Sequence, residues 1–202
     1  MPDWTVVVPV KGTASAKSRF GGPADARAAL ARAMALDTVE AVLRARRVTA
    51  VIVVTASDDA AQFESLGAMV VREEPGAGLI GAIDVGIAHA GEGNVAVLLG
   101  DIPALDPADL DAALAAAGGL DRAMVPDAEG TGTVLTTARA GVQHVLAFGS
   151  GSNEAHRAAG YVPLDVPATS GLRRDIDTPE QLESLPAAEL GPRTRALVER
   201  RG

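Results

Sequence analysis

Of the 18 basic residues only two are lysines, Lys11 and Lys17, and they lie six positions apart in one loop. Lysine is a compact, strongly hydrated point charge, whereas arginine is a planar fork with a different donor geometry. With Arg19 nearby, the stretch Lys11-Gly-Thr-Ala-Ser-Ala-Lys-Ser-Arg19 gathers three cations and several backbone amides, which suits a polyphosphate. Two ordinary solvated lysines are the plainer reading of the pair. The loop lacks the Gly-x4-Gly-Lys-Ser/Thr order, so a P-loop is not expected.

Carboxylates form the second group. Asp101 stands in Leu99-Gly-Asp-Ile-Pro103, directly after an apolar run. Asp175 and Asp177 flank Ile176, and in an extended segment both would point to one side. Three carboxylates on one rim suit magnesium, a hard cation that shares oxygen ligands with phosphates. Asp177-Thr178-Pro179-Glu180 is equally a fair helix start, which would make Asp177 an N-cap. Two Gly/hydroxyl turns, Gly130-Thr-Gly-Thr133 and Phe148-Gly-Ser-Gly-Ser152, could each present amides and hydroxyls to an anion. Together they suggest a second anion site, distinct from the lysine loop. His156 reads as a surface cap rather than an anion contact, and His89 and His144 lack metal-site spacing. Gly76, Gly78 and Gly81 match a dinucleotide fingerprint formally, but they follow the third strand rather than the first. A Gly-rich loop opening a helix and approaching a base or ribose is the alternative.

These residues sit in loops between alternating elements. Trp4 to Val10 is a near-continuous apolar, largely β-branched run, the pattern of a strand buried on both faces. A long helix follows from Pro23 to the arginines at 44–47. Strands are expected at 51–54, 69–71, 95–99, 122–125, 134–137 and near 161–164, with helices at 58–66, 79–90, about 107–117, 152–159 and after Pro179. Such alternation predicts an α/β fold with a mainly parallel sheet and ligands at the carboxyl ends of its strands. No linker divides the 202 residues, so one domain is expected over 1–185, with 186–202 as a tail carrying a surface helix.

Composition narrows the function. Apolar residues make up 48% of the chain with few aromatics, so the core is aliphatic and the chain is not disordered. The absence of cysteine excludes thiolate catalysis and Cys-ligated metals. A net charge of -8 argues against nucleic acid as partner. No apolar run reaches the length of a membrane span, and no secretory signal is legible, so a cytoplasmic location is expected.

The ordered set Val8-Pro-Val-Lys11, Ala16-Lys-Ser-Arg19, Leu99-Gly-Asp-Ile-Pro103, Gly130-Thr-Gly-Thr133, Phe148-Gly-x-Gly-Ser152 and Arg173-Arg-Asp-x-Asp-Thr-Pro179 resembles the phosphoenolpyruvate/2-phospho-L-lactate guanylyltransferase family of coenzyme F-420 biosynthesis. The resemblance runs from about residue 4 to residue 185 and includes Ala33 to Asp37. It implies a three-layer, Rossmann-like (GT-A-like) nucleotidyltransferase fold with a mainly parallel sheet. It also implies GMP transfer from GTP to the phosphate of a three-carbon phospho-acid, with phosphoenolpyruvate favoured and 2-phospho-L-lactate or 3-phosphoglycerate as alternatives. Lys11, Lys17, Arg19 and Gly78 would then bind the nucleotide, and Thr133, Gly149 and Ser152 the phospho-acid. Asp101, Asp175 and Asp177 would hold Mg2+, with Lys11, Lys17 and Asp101 as the catalytic set. One departure is Ile80, where many members carry an asparagine whose hydrogen bonds isoleucine cannot make.

Overall fold

The computed structural model describes residues 3–10, 18–56, 59–73 and 76–200. The chain-order elements are β1 (Trp4–Val10), α1 (Ala24–Arg44), β2 (Val48–Thr55), α2 (Ala60–Leu66), β3 (Met69–Arg72), α3 (Gly78–His89) and β4 (Asn94–Leu98). They continue with α4 (Pro107–Ala117), β5 (Arg122–Pro126), β6 (Thr133–Ala138), α5 (Ser152–Ala158), β7 (Val162–Pro163), α6 (Pro179–Glu183) and α7 (Pro192–Glu199). The strands form one sheet in the order β3-β2-β1-β4-β6-β5-β7. Helices cover both faces, as the alternation predicts.

Side chains divide between the faces with the two-residue period of a strand. Trp4, Val6 and Val8 of β1, Val51 and Val53 of β2, and Ala96 and Leu98 of β4 point toward α1 and α4. Val7, Ile52, Val54, Val95 and Val97 point the other way, onto Ala82 and Ile83 of α3. Both faces of each strand are therefore dry, which is why these segments read as continuous apolar runs rather than alternating ones. A third cluster packs Leu30 and Met34 of α1 against Ala104, Ile176, Leu182, Leu185 and Leu190.

One strand runs against the rest. β6 is antiparallel to both β4 and β5, while every other pairing among the described residues is parallel. The connection between β5 and β6 spans only residues 127–132, too short for the crossover that a parallel pair requires. Because β6 is reversed, its first residue, Thr133, lies at the edge where β1, β4 and β5 end.

α1 stops at Arg44 rather than running through the arginines to 47. Asp111 of α4 accepts the backbone amides of Arg46 at 3.0 Å and Arg47 at 2.9 Å, which turns the chain into β2. After α6 the chain returns to α1. The Gly191 amide donates to the Pro103 carbonyl at 2.8 Å, and buried Asp37 of α1 accepts the amides of Arg193 and Thr194 at 3.2 and 2.7 Å. α7 is thereby tied to α1 through its first turn.

Candidate active site

A cleft of about 780 Å3 opens at the carboxyl edge of the sheet. Pro9 and Val10 of β1, Ala31 and Ala35 of α1, Leu79 of α3, and Leu99 supply its apolar surface. Its polar surface comes from Arg19, Asp101, Asp127, Thr131, Thr133, Ser150, Ser152, Asp175 and Asp177. Residues from all six motif segments named above therefore meet in one depression. Gly149 lines it as well, whereas Gly78 opens α3 one position before the lining residue Leu79. Lys11 and Lys17 lie outside the described residues.

One wall is acidic. Asp101 follows β4, and its turn is fixed from two sides. The Ile102 amide donates to the Thr38 hydroxyl of α1 at 3.1 Å, and the Ile176 amide donates to the Asp101 carbonyl at 3.0 Å. The second bond draws the Asp175–Asp177 segment against Asp101, with Ile176 buried between the two carboxylates in the third core cluster. Thr178, not Asp177, is the N-cap of α6, and it forms a capping box with Gln181. The Asp177 amide donates to Gln181 at 2.7 Å, and its carboxylate lines the cleft. Burial, followed by the charges of Asp101, Asp177 and Asp127, pushes the Asp175 carboxyl up to about 7.

Asp127 and Glu129 were not singled out by sequence reasoning. With Asp175 they form a group whose carboxylate oxygens lie within 4.8 Å of one another, close enough to share a cation. This group overlaps the set Asp101, Asp175 and Asp177 at Asp175 alone. Asp127 already has local work: its two oxygens accept the amides of Thr131 at 2.9 Å and Gly132 at 2.7 Å. A Cβ at position 132 would lie 2.3 Å from Asp127 Oδ2, so the staple needs glycine there. Glu129 accepts the side-chain amide of Gln181 at 3.0 Å. The only sequence signal was an acid following a strand and preceding a glycine turn.

An adjoining wall is made of the two glycine turns. Asn153 joins them: its amide donates to the Thr131 carbonyl at 3.2 Å and its side chain to the Gly130 carbonyl at 2.6 Å. Gly149 adopts φ +132°, a backbone conformation that L side chains rarely adopt. Thr133 and Ser152 are almost fully buried. His156 is not a surface cap; it is fully buried behind Thr133, with Phe148 and Tyr161 edge-on to its ring at 5.0 and 5.1 Å. Its sequence neighbours gave no sign of this, because its contacts come from other segments.

A mainly parallel sheet with one reversed strand and a polar cleft at its carboxyl edge suits a nucleotidyltransferase, and the comparisons agree. Residues 14–165 match the MobA-like NTP transferase domain. A putative nucleotide-diphospho-sugar transferase from Desulfovibrio desulfuricans G20 superposes with a TM-score of 0.73 at 17% identity, covering 100% of this chain and 96% of that one. CMP:2-keto-3-deoxy-manno-octonic acid synthetase complexed with CTP gives 0.57 at 14% identity, over 99% and 100% of the chains. Both show the shared fold. Phosphoenolpyruvate guanylyltransferases from Salinispora arenicola (48% identical, 96% of this chain and 92% of that one) and Streptomyces coelicolor (46%, 98% and 96%) match over nearly their whole length. This chain belongs to the phosphoenolpyruvate guanylyltransferase family within the MobA-like NTP transferases. No helix among the described residues is long and apolar enough to cross a membrane.

Proposed function

We propose that the chain transfers GMP from GTP to the phosphate of phosphoenolpyruvate in the cytoplasm, giving enolpyruvyl-diphospho-guanosine and pyrophosphate for coenzyme F-420 biosynthesis. A phosphate oxygen of the acceptor forms a bond to the α-phosphorus, and the bond from that phosphorus to the bridging oxygen of the β-phosphate breaks. Pyrophosphate leaves with the electron pair. The acceptor phosphate, with a second pKa near 6, is largely a dianion at pH 7 and needs no general base. The site's task is alignment of two polyanions and neutralisation of their charge.

The observation that carries this reading is the convergence in one cleft of an acidic wall and a hydroxyl-and-amide wall. Burial and the neighbouring carboxylates that together raise Asp175 fit a site for a hard divalent cation. In our assignment Asp101, Asp175 and Asp177 hold Mg2+, which would supply charge neutralisation at the phosphates. Asp127 acts chiefly as the staple of its turn, since both its oxygens accept amides. Lys11, Lys17 and Arg19 take the GTP phosphates, and Gly78 the approach of the nucleoside. Thr133, Gly149 and Ser152 take the phospho-acid. The test is pyrophosphate release with GTP and magnesium, comparing phosphoenolpyruvate, 2-phospho-L-lactate and 3-phosphoglycerate, then repeated with ATP and CTP. Release with GTP and phosphoenolpyruvate is expected. Release with another acceptor or nucleotide would reassign the substrate, and silence throughout would refute the activity.

A further inference from the structure

Behind the acceptor wall lies a chain of rings that the reaction itself does not call for. The Ala147 amide donates to His156 Nε2 at 3.0 Å. An amide can only donate, so Nε2 is the bare nitrogen and the neutral ring carries its proton on Nδ1. Nδ1 lies 3.0 Å from Thr133 Oγ1, so its proton is shared between that hydroxyl oxygen and the Ser152 backbone, and Nδ1 cannot accept from Thr133. Thr133 is then an acceptor toward His156, and its own proton is left for another partner. Met124 Sδ, at 4.0 Å, is the partner it has in the fold, and thioether sulfur is a weak acceptor that an anion would displace. Burial lowers the His156 pKa, with a backbone hydrogen bond to Ser152 working against it, which favours the neutral ring.

Its surroundings hold this ring in place. Besides the edge-on Phe148 and Tyr161, the Tyr161 hydroxyl accepts the Val145 amide at 3.0 Å and sits 3.1 Å from His144 Nδ1. The segment leading to Gly149 is thus anchored twice, at Val145 and at Ala147, immediately before it enters the cleft. We propose that His156 is a positioning residue for the acceptor subsite: it orients the Thr133 hydroxyl as a hydrogen-bond donor to the phospho-acid and fixes the backbone that carries Phe148 and Gly149. This role rests on the function proposed above.

Two substitutions separate the two contacts. His156→Asn places an amide nitrogen near Nδ1 and keeps a donor for Thr133, while His156→Gln places an acceptor near Nε2 and keeps the partner of Ala147. Each is expected to raise the KM for phosphoenolpyruvate roughly tenfold while leaving the KM for GTP within about twofold, the scale of one lost hydrogen bond. In a Thr133→Val background the further effect of His156→Gln should shrink, because the group it orients is gone. Equal rises in both KM values, or an unchanged acceptor KM, would overturn the proposal. Should either variant fail to fold, 15N-histidine spectra of the unmodified protein decide the matter. The expected result is the Nδ1–H tautomer at neutral pH, with a His156 shift on adding phosphoenolpyruvate; the Nε2–H tautomer, or no shift, would overturn it. Turnover by the unmodified enzyme tests the activity separately.

Discussion

The two walls of the cleft solve opposite electrostatic problems. The glycine-turn wall is satisfied internally: Asp127 staples one turn, Asn153 ties it to the other, and His156 supports both Thr133 and Ala147. The acidic wall concentrates like charge instead: burial, followed by the charges of Asp101, Asp177 and Asp127, pushes Asp175 up to about 7. A satisfied network fixes a shape, whereas a concentration of like charge stores a cost that only a cation or a proton relieves. The comparison teaches that one wall is built to hold a geometry and the other to receive charge.

Removing an acid from the second wall should damage activity most. Asp101→Asn is expected to lower the rate of pyrophosphate release roughly a hundredfold or more, with an unchanged circular dichroism spectrum. Near-normal turnover would take Asp101 out of the cation site.

Acid should weaken the satisfied side. Burial pushes the His144 pKa down to about 4 from 6.5, so the fold favours the neutral ring. The associated stability, about 3 kcal/mol, is full above pH 6.5 and is lost as pH falls toward 4. Urea midpoints at pH 7 and pH 4.5 compared between the native protein and His144→Gln should converge at the lower pH.

Asp175→Asn sharpens the contrast, because it should abolish turnover yet stabilise the fold. Its carboxyl prefers to be protonated, so the cost of ionising it appears as pH rises from about 4 through 7. The variant should be more stable by about 1–3 kcal/mol at pH 8 without metal, and no more stable at pH 4, as read by thermal melts. In the stapled wall the sign reverses: Asp127→Ala should cost about 2 kcal/mol, because the Thr131 and Gly132 amides lose their acceptor, and should raise the acceptor KM more than that for GTP. Away from both walls, Arg139 pairs with Asp121 at 2.6 Å with both side chains exposed. Arg139→Ala should change stability by less than about 0.5 kcal/mol.

Legibility in the sequence followed the same division. β1 and α4 stand where apolar periodicity puts them, because burial on both faces or on one stripe is written directly in the pattern. The direction of β6 is not, since it depends on the length of the 127–132 connection rather than on which residues are apolar. Asp101, Asp175 and Asp177 could be named because they follow a strand or flank a buried isoleucine. His156 could not, because its partners stand 9 and 23 positions away and meet it only through the fold. Asp127 was hidden by how often an aspartate precedes a glycine turn. The end of α1 was set from α4 by Asp111, again a long-range contact.

The most direct measurement of the central claim is a 31P NMR time course of the enzyme with GTP, magnesium and phosphoenolpyruvate. The account expects the three GTP resonances and the phosphomonoester resonance to give way to pyrophosphate and a coupled pair from an unsymmetrical diphosphate. Persistence of the phosphomonoester signal, with GTP unchanged or cleaved to inorganic phosphate, would contradict it.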